Sequence, residues 1–125
     1  MSLSVDVFVV GADGERQVLD VPEGCSDSAG FESWRTRVWG APVVRSLGAG
    51  FFPVLAEADL RVDPGQVPAF LSECLLLREN LDKIVAGTEP VRSATEHRDA
   101  ICDRLSIVED AARRALAMGG GVLIW

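Results

Sequence analysis

One histidine and three cysteines in 125 residues leave little material for metal or nucleophile chemistry. Because His97 stands alone, a histidine-rich zinc site and a pair of imidazoles sharing acid–base work are both excluded. Cys25, Cys74 and Cys102 are too few and too widely spaced for a disulfide scaffold. Two of them fall at apolar positions of predicted helices, so reduced, mostly buried thiols are expected. No stretch approaches the roughly 18 consecutive apolar residues that cross a bilayer. The chain does not open on a basic segment followed by a long apolar run, so cytoplasm is the expected location and no membrane the expected partner.

Positive charge is also scarce. Twelve Lys and Arg face nineteen Asp and Glu, for a formal charge of −7, and such a surface repels phosphate backbones and anionic lipid. Nucleic acid is therefore not expected, and a basic protein is the better match. The deficit is uneven, because residues 1–30 sum to −5 whereas residues 31–52 sum to +2. Gly48 and Gly50 do not make a phosphate loop: the lysine and hydroxyl residue that would complete one are missing.

What is present is enough apolar sequence, 48%, to build one core, and the expectation is a single α+β domain over 1–125. Leu3, Val5, Val7 and Val9 alternate with Ser4, Asp6 and Phe8, the period of a half-buried strand. Gly11 to Gly14 suit a reversal, and Val18, Leu19 and Val21 mark a partner strand, so the first 21 residues read as a hairpin. Ser26, Asp27, Ser28 and Gly30 read as polar loop, and Phe31 to Gly40 as a short helix or irregular cover. Val43, Val44 and Leu47 support another strand, and Phe51, Phe52, Val54 and Leu55 a further one.

The helical signals are stronger. Asp63, Pro64 and Gln66 have the spacing of a capping box with proline at the first helical position. Val67, Phe70, Leu71, Cys74, Leu77, Leu81 and Ile84 then recur every three or four residues, which predicts a helix near 64–86. Ser93 with Glu96 starts a second, near 94–118, that Gly119 ends in a left-handed conformation. The last five residues, Gly121 to Trp125, read as a buried strand. The fold class is thus a small antiparallel sheet packed against two long antiparallel helices, with a C-terminal strand.

Two functions compete for the remaining residues. Trp34, Arg35, Arg37 and Trp39 combine large rings with rigid, multidonor cations, a pairing enriched where protein partners are held. Glu57 and Asp59 add negative charge that steers a basic partner. This predicts an acidic protein-binding or inhibitory module with no cofactor and no metal, and a second copy of the chain is another candidate partner. The alternative is a small enzyme with a cleft between the helices and the tryptophan-bearing segment, using His97 as a general base. A His97–Cys102 pair is disfavoured, since five residues is not one helical turn, and Cys74 sits in an apolar face.

Overall fold

The computed structural model describes residues 2–89 and 93–125. Its strands are β1 (Ser2–Val10), β2 (Arg16–Val18), β3 (Ser28–Phe31), β4 (Leu60–Val62) and β5 (Gly121–Ile124). Its helices are α1 (Pro42–Ser46), α2 (Val67–Glu79), α3 (Leu81–Gly87) and α4 (Ala94–Met118). The fold is α+β with an antiparallel sheet, but four α-helices are described, not two.

The sheet runs β2-β1-β5-β4, and β3 pairs with the other end of the β1 edge that carries β2. The C-terminal strand therefore lies in the middle. Val5 stands opposite Ile124 and Val7 opposite Val122, while Leu60 and Val62 meet the same two residues from the far side. These six side chains, with Leu3, form one apolar face, because strand residues two apart point the same way. The helices cover it. On the other face Asp6 aligns with Leu123 and Arg61, and the exposed Trp125 indole donates to Asp6 Oδ2 at 2.7 Å. The expected burial of the chain end thus holds for Val122 and Ile124 but not for Trp125, which is 52% exposed. None of the described helices is long and apolar enough to cross a membrane.

The expected helix near 64–86 is interrupted. Asp63 donates its N–H to Gln66 Oε1 at 3.0 Å and opens a single 3₁₀ turn, Pro64–Gln66, before α2 begins. At Asn80 the backbone leaves the helix and the side-chain amide donates to the Leu76 carbonyl at 2.9 Å, so α3 starts afresh at Leu81. Asparagine competes for helical carbonyls in this way, and apolar periodicity does not register it. The expectation for α4 holds. Ser93 Oγ accepts from the Glu96 N–H at 3.2 Å, and Gly119 closes the helix at φ +68°.

Residues 43–55 depart most from the sequence reading. Val43, Val44 and Leu47 belong to a helix and its cap, because Pro42 presets the first turn and the spacing of Val44 and Leu47 near α1 is not that of a strand. Phe52–Ala56 is a 3₁₀ turn, in which Phe52 and Leu55, three apart, point inward together. Conversely, Ser28–Phe31, which reads as loop through Gly30 and as the start of a helix or irregular cover at Phe31, is a strand. Its small residues carry little strand propensity, and its place is set by pairing with Ser2 to Ser4.

Helices α2 and α4 run antiparallel: Arg78 meets residues 102–109, whereas Leu71 shares a groove with Glu109 and Arg113. Arg78 Nε donates to Glu109 Oε1 at 2.9 Å and a terminal nitrogen donates to Ser106 Oγ at 2.9 Å. The bond to Glu109 raises the guanidinium pKa above its ordinary value. Cys74 is buried beneath this bridge, and burial pushes its thiol up; Cys102 is half-buried and Cys25 exposed, and all three are free. Leu105 packs in the core that α4 shares with the sheet. Replacing Leu105 with alanine is expected to cost about 2–5 kcal/mol, through lost transfer energy and the cavity left behind. Equilibrium denaturation checks this, and an unchanged midpoint would remove Leu105 from the core.

Candidate functional site

The site grows out of a chain of aromatic rings. Phe70 on α2 stacks on Phe52 with centroids 5.3 Å apart. Phe52 meets Trp39 at 4.9 Å, Trp39 meets Trp34 at 5.6 Å, and Trp34 meets Phe31 at 6.4 Å. The series starts in the core and ends at the surface, since Trp39 is 1% exposed, Trp34 9% and Phe31 61%. Offset and edge-on ring pairs of this kind add about 0.5–1.5 kcal/mol each beyond their buried area.

Local sequence holds the chain in place at three points. Trp39 Nε1–H donates to the Ala29 carbonyl at 2.9 Å, tying the π-helical turn Arg35–Trp39 to β3. Gly30, at φ +113°, lets the Trp34 ring lie on the backbone: a Cβ there would stand 2.6 Å from Trp34 Cε3. The buried Glu73 carboxylate accepts the N–H groups of Gly50 at 2.6 Å and Phe52 at 2.8 Å, and both its oxygens lie about 3 Å from the N–H of Phe51. That carboxylate fixes the start of the Phe52–Ala56 turn against α2.

At the surface end lies a pocket of about 330 Å³, mostly apolar, within the size range of small-ligand and side-chain sites. Phe31, Trp34, Val38 and Ala100 supply its apolar wall. Ser33 and Arg37 border it from the segment around the π-turn, and Glu89, Glu96 and His97 from the residues flanking the α3–α4 junction.

His97 is 9% exposed, and its environment defines its proton. The Thr88 hydroxyl has one proton and donates it to the Ile84 carbonyl at 2.7 Å, so it accepts from His97 Nε2 at 2.6 Å. The neutral ring then carries its lone pair on Nδ1. Burial pushes the imidazole pKa below its ordinary value.

The six residues singled out by sequence separate here. Trp34 and Arg37 line the pocket. Trp39 lies behind it as the core link of the aromatic chain. Arg35 is engaged elsewhere: it donates to Glu32 Oε1 at 2.5 Å, to Asp59 Oδ1 at 2.6 Å and to the carbonyls of Leu55 and Ala58. Burial opposes its charge, but the bonds to Asp59 and Glu32 outweigh it and raise the pKa. Asp59 is thus a strut between two turns, and Glu57 is an exposed residue closing the 3₁₀ turn. His97, the residue of the enzyme alternative, stands in the same pocket as Trp34 and Arg37. Phe31, Glu89 and Ala100 are additions that no local motif announces, since pairing and helix packing bring them together.

Among the described residues, no three His, Cys, Asp or Glu side chains gather as metal ligands would. No protein-family model, curated protein or solved structure matches the chain.

The lowered pKa of His97 has a consequence for stability. The unfolded chain protonates near the ordinary value of about 6.5, whereas the folded ring resists protonation until lower pH. His97 therefore supports stability above that value, and the support is lost as pH falls from there through the folded pKa. Denaturant midpoints at neutral and mildly acidic pH should fall further in the native chain than in His97→Gln. Equal losses would show that the ring is not held neutral.

Proposed function

We propose that the chain is an acidic protein-binding module that docks a partner at the pocket between the Phe31–Val38 segment and the N-terminal part of α4. The observation carrying this reading is the exposed Phe31 ring beside a mostly apolar cavity whose border holds charges of both signs. An apolar centre with a polar rim is the usual anatomy of a protein contact. Trp34 and Arg37, residue types that often dominate binding energy, stand in it. The net charge of −7 favours encounter with a basic partner. Blocking the activity of such a partner is a natural consequence of occupying its basic surface.

A second reading makes the pocket a reaction cleft, and the observation that favours it is the neutral His97 imidazole in its wall. A neutral ring with a lone pair on Nδ1 is the form a general base requires. That reading demands an activity that His97→Gln abolishes while the fold persists.

The two are separated by affinity capture from native cell extract. A partner held by the native chain should bind Phe31→Ala and Arg37→Ala at least roughly tenfold more weakly. Leu75→Ala, an exposed apolar change on α2 outside the pocket, should bind it normally. Full retention by both pocket variants would place recognition elsewhere.

A further inference from the structure

The lining of the pocket is specific about the side chain it suits. Phe31 and Trp34 meet at an interplanar angle of 67°, so their rings form a corner rather than a flat wall. Val38 and Ala100 extend the apolar surface. The carboxylates are at its edge: Glu89 and Glu96 are both exposed, one just beyond α3 and the other in the first turn of α4. Among the described residues neither forms an ion pair, whereas Glu32, Asp59, Asp63, Asp82 and Glu109 all do. Arg37 also borders the pocket, from the π-turn. Among the described residues the charged border is therefore two carboxylates against one guanidinium, with His97 neutral.

Resting on the docking reading above, we infer that the pocket receives a lysine or arginine side chain of a protein partner, its methylene stem on Phe31, Trp34, Val38 and Ala100 and its cation at Glu89 and Glu96. Long basic side chains bury their stems on apolar surface and keep their charged heads at a polar edge, which matches this arrangement of walls and rim. The faces of two rings set at an angle attract a cation further, by about 0.5–1 kcal/mol at an exposed site. An aspartate or glutamate side chain would instead meet two like charges. A purely apolar side chain would fill the corner but leave the rim carboxylates without a partner. Arg37, a donor only, is suited to a backbone carbonyl of the same partner segment. The excess of acidic residues over the whole chain has the same sign as this rim, so long-range steering and local recognition select the same partner.

The test is a titration of the isotopically labelled full chain, followed by amide and indole resonances, with a set of capped alanine pentapeptides. Their central residue is arginine, lysine, norleucine or glutamate. The arginine and lysine peptides should shift Phe31, the Trp34 indole, His97 and Ala100, and the glutamate peptide should not. Norleucine, which keeps the lysine stem without its charge, should bind more weakly. The double variant Glu89→Gln with Glu96→Gln should weaken the arginine and lysine peptides about threefold to tenfold, as expected for two exposed ion pairs, and leave norleucine unchanged. Norleucine binding as tightly as lysine would overturn the assignment of a cation yet leave the docking reading standing. Tighter binding by glutamate would overturn it in favour of Arg37 as the anchor. Absence of pocket shifts with all four peptides would overturn the inference, while the capture experiment decides the docking reading separately.

Discussion

The structure turns on one buried carboxylate. Glu73, on the inner side of α2, accepts three successive backbone N–H groups at Gly50, Phe51 and Phe52. Those amides begin a 3₁₀ turn and have no preceding helical carbonyls to bond, so without Glu73 they would be left unpaired as the segment packs inward. The carboxylate in turn is compensated by the three donors that surround it. Satisfying both sides at once pins residues 50–52 to α2 and presents Phe52 to Phe70. Trp39 then packs on Phe52, Trp34 on Trp39, and Phe31 on Trp34. A polar contact in the core therefore sets the position of the ring that stands at the surface.

The same logic explains why the pocket persists as a cavity. One wall hangs on the aromatic chain and on the Trp39 bond to Ala29, and the other belongs to the first turns of the 25-residue α4. Helix α4 is held by the sheet beneath it, β3 included, and by the Arg78 bridge from α2. Two walls anchored by different contacts do not collapse on each other, and His97 is fastened by Thr88 rather than by a residue of the opposite wall. Under the proposed docking role, a site built in this way would lower the ordering cost of binding. Its acidic rim continues the negative field of the whole chain.

Legibility in the sequence followed the range of the forces involved. The helix starts at Asp63 and Ser93 and the stop at Gly119 are local hydrogen-bond and dihedral effects, and their residues announced them. The β1–β2 hairpin and the β5 strand were readable from alternation and apolar runs, although their register, with β5 between β1 and β4, was not. Val43 to Leu55 misled because apolar residues preceded by Pro42 and interrupted by Pro53 fit short helical turns as well as strands, and only Glu73, more than twenty residues away, selects the turn at Phe52. Asn80 broke a helix whose apolar period continues across it. At the site, the tryptophans and arginines stood out by type, but Trp39 and Arg35 proved to be internal supports and Phe31 the exposed ring. Which aromatic reaches the surface depends on tertiary packing, to which composition is blind.

Glu73→Gln isolates the central claim. The substitution keeps the size of the side chain but replaces one accepting oxygen by a donor that faces N–H groups, and the three tryptophans supply three indole reporters. The account predicts that amide hydrogen exchange accelerates at Gly50, Phe51 and Phe52 and that the Trp39 and Trp34 indole resonances and the Phe31 ring shift with it. Trp125, bonded to Asp6 on the far face of the sheet, should stay in place. Loss of protection at those three amides with Trp34 and Phe31 undisturbed would contradict the account, because the pocket would then be built without the carboxylate on which it is said to depend.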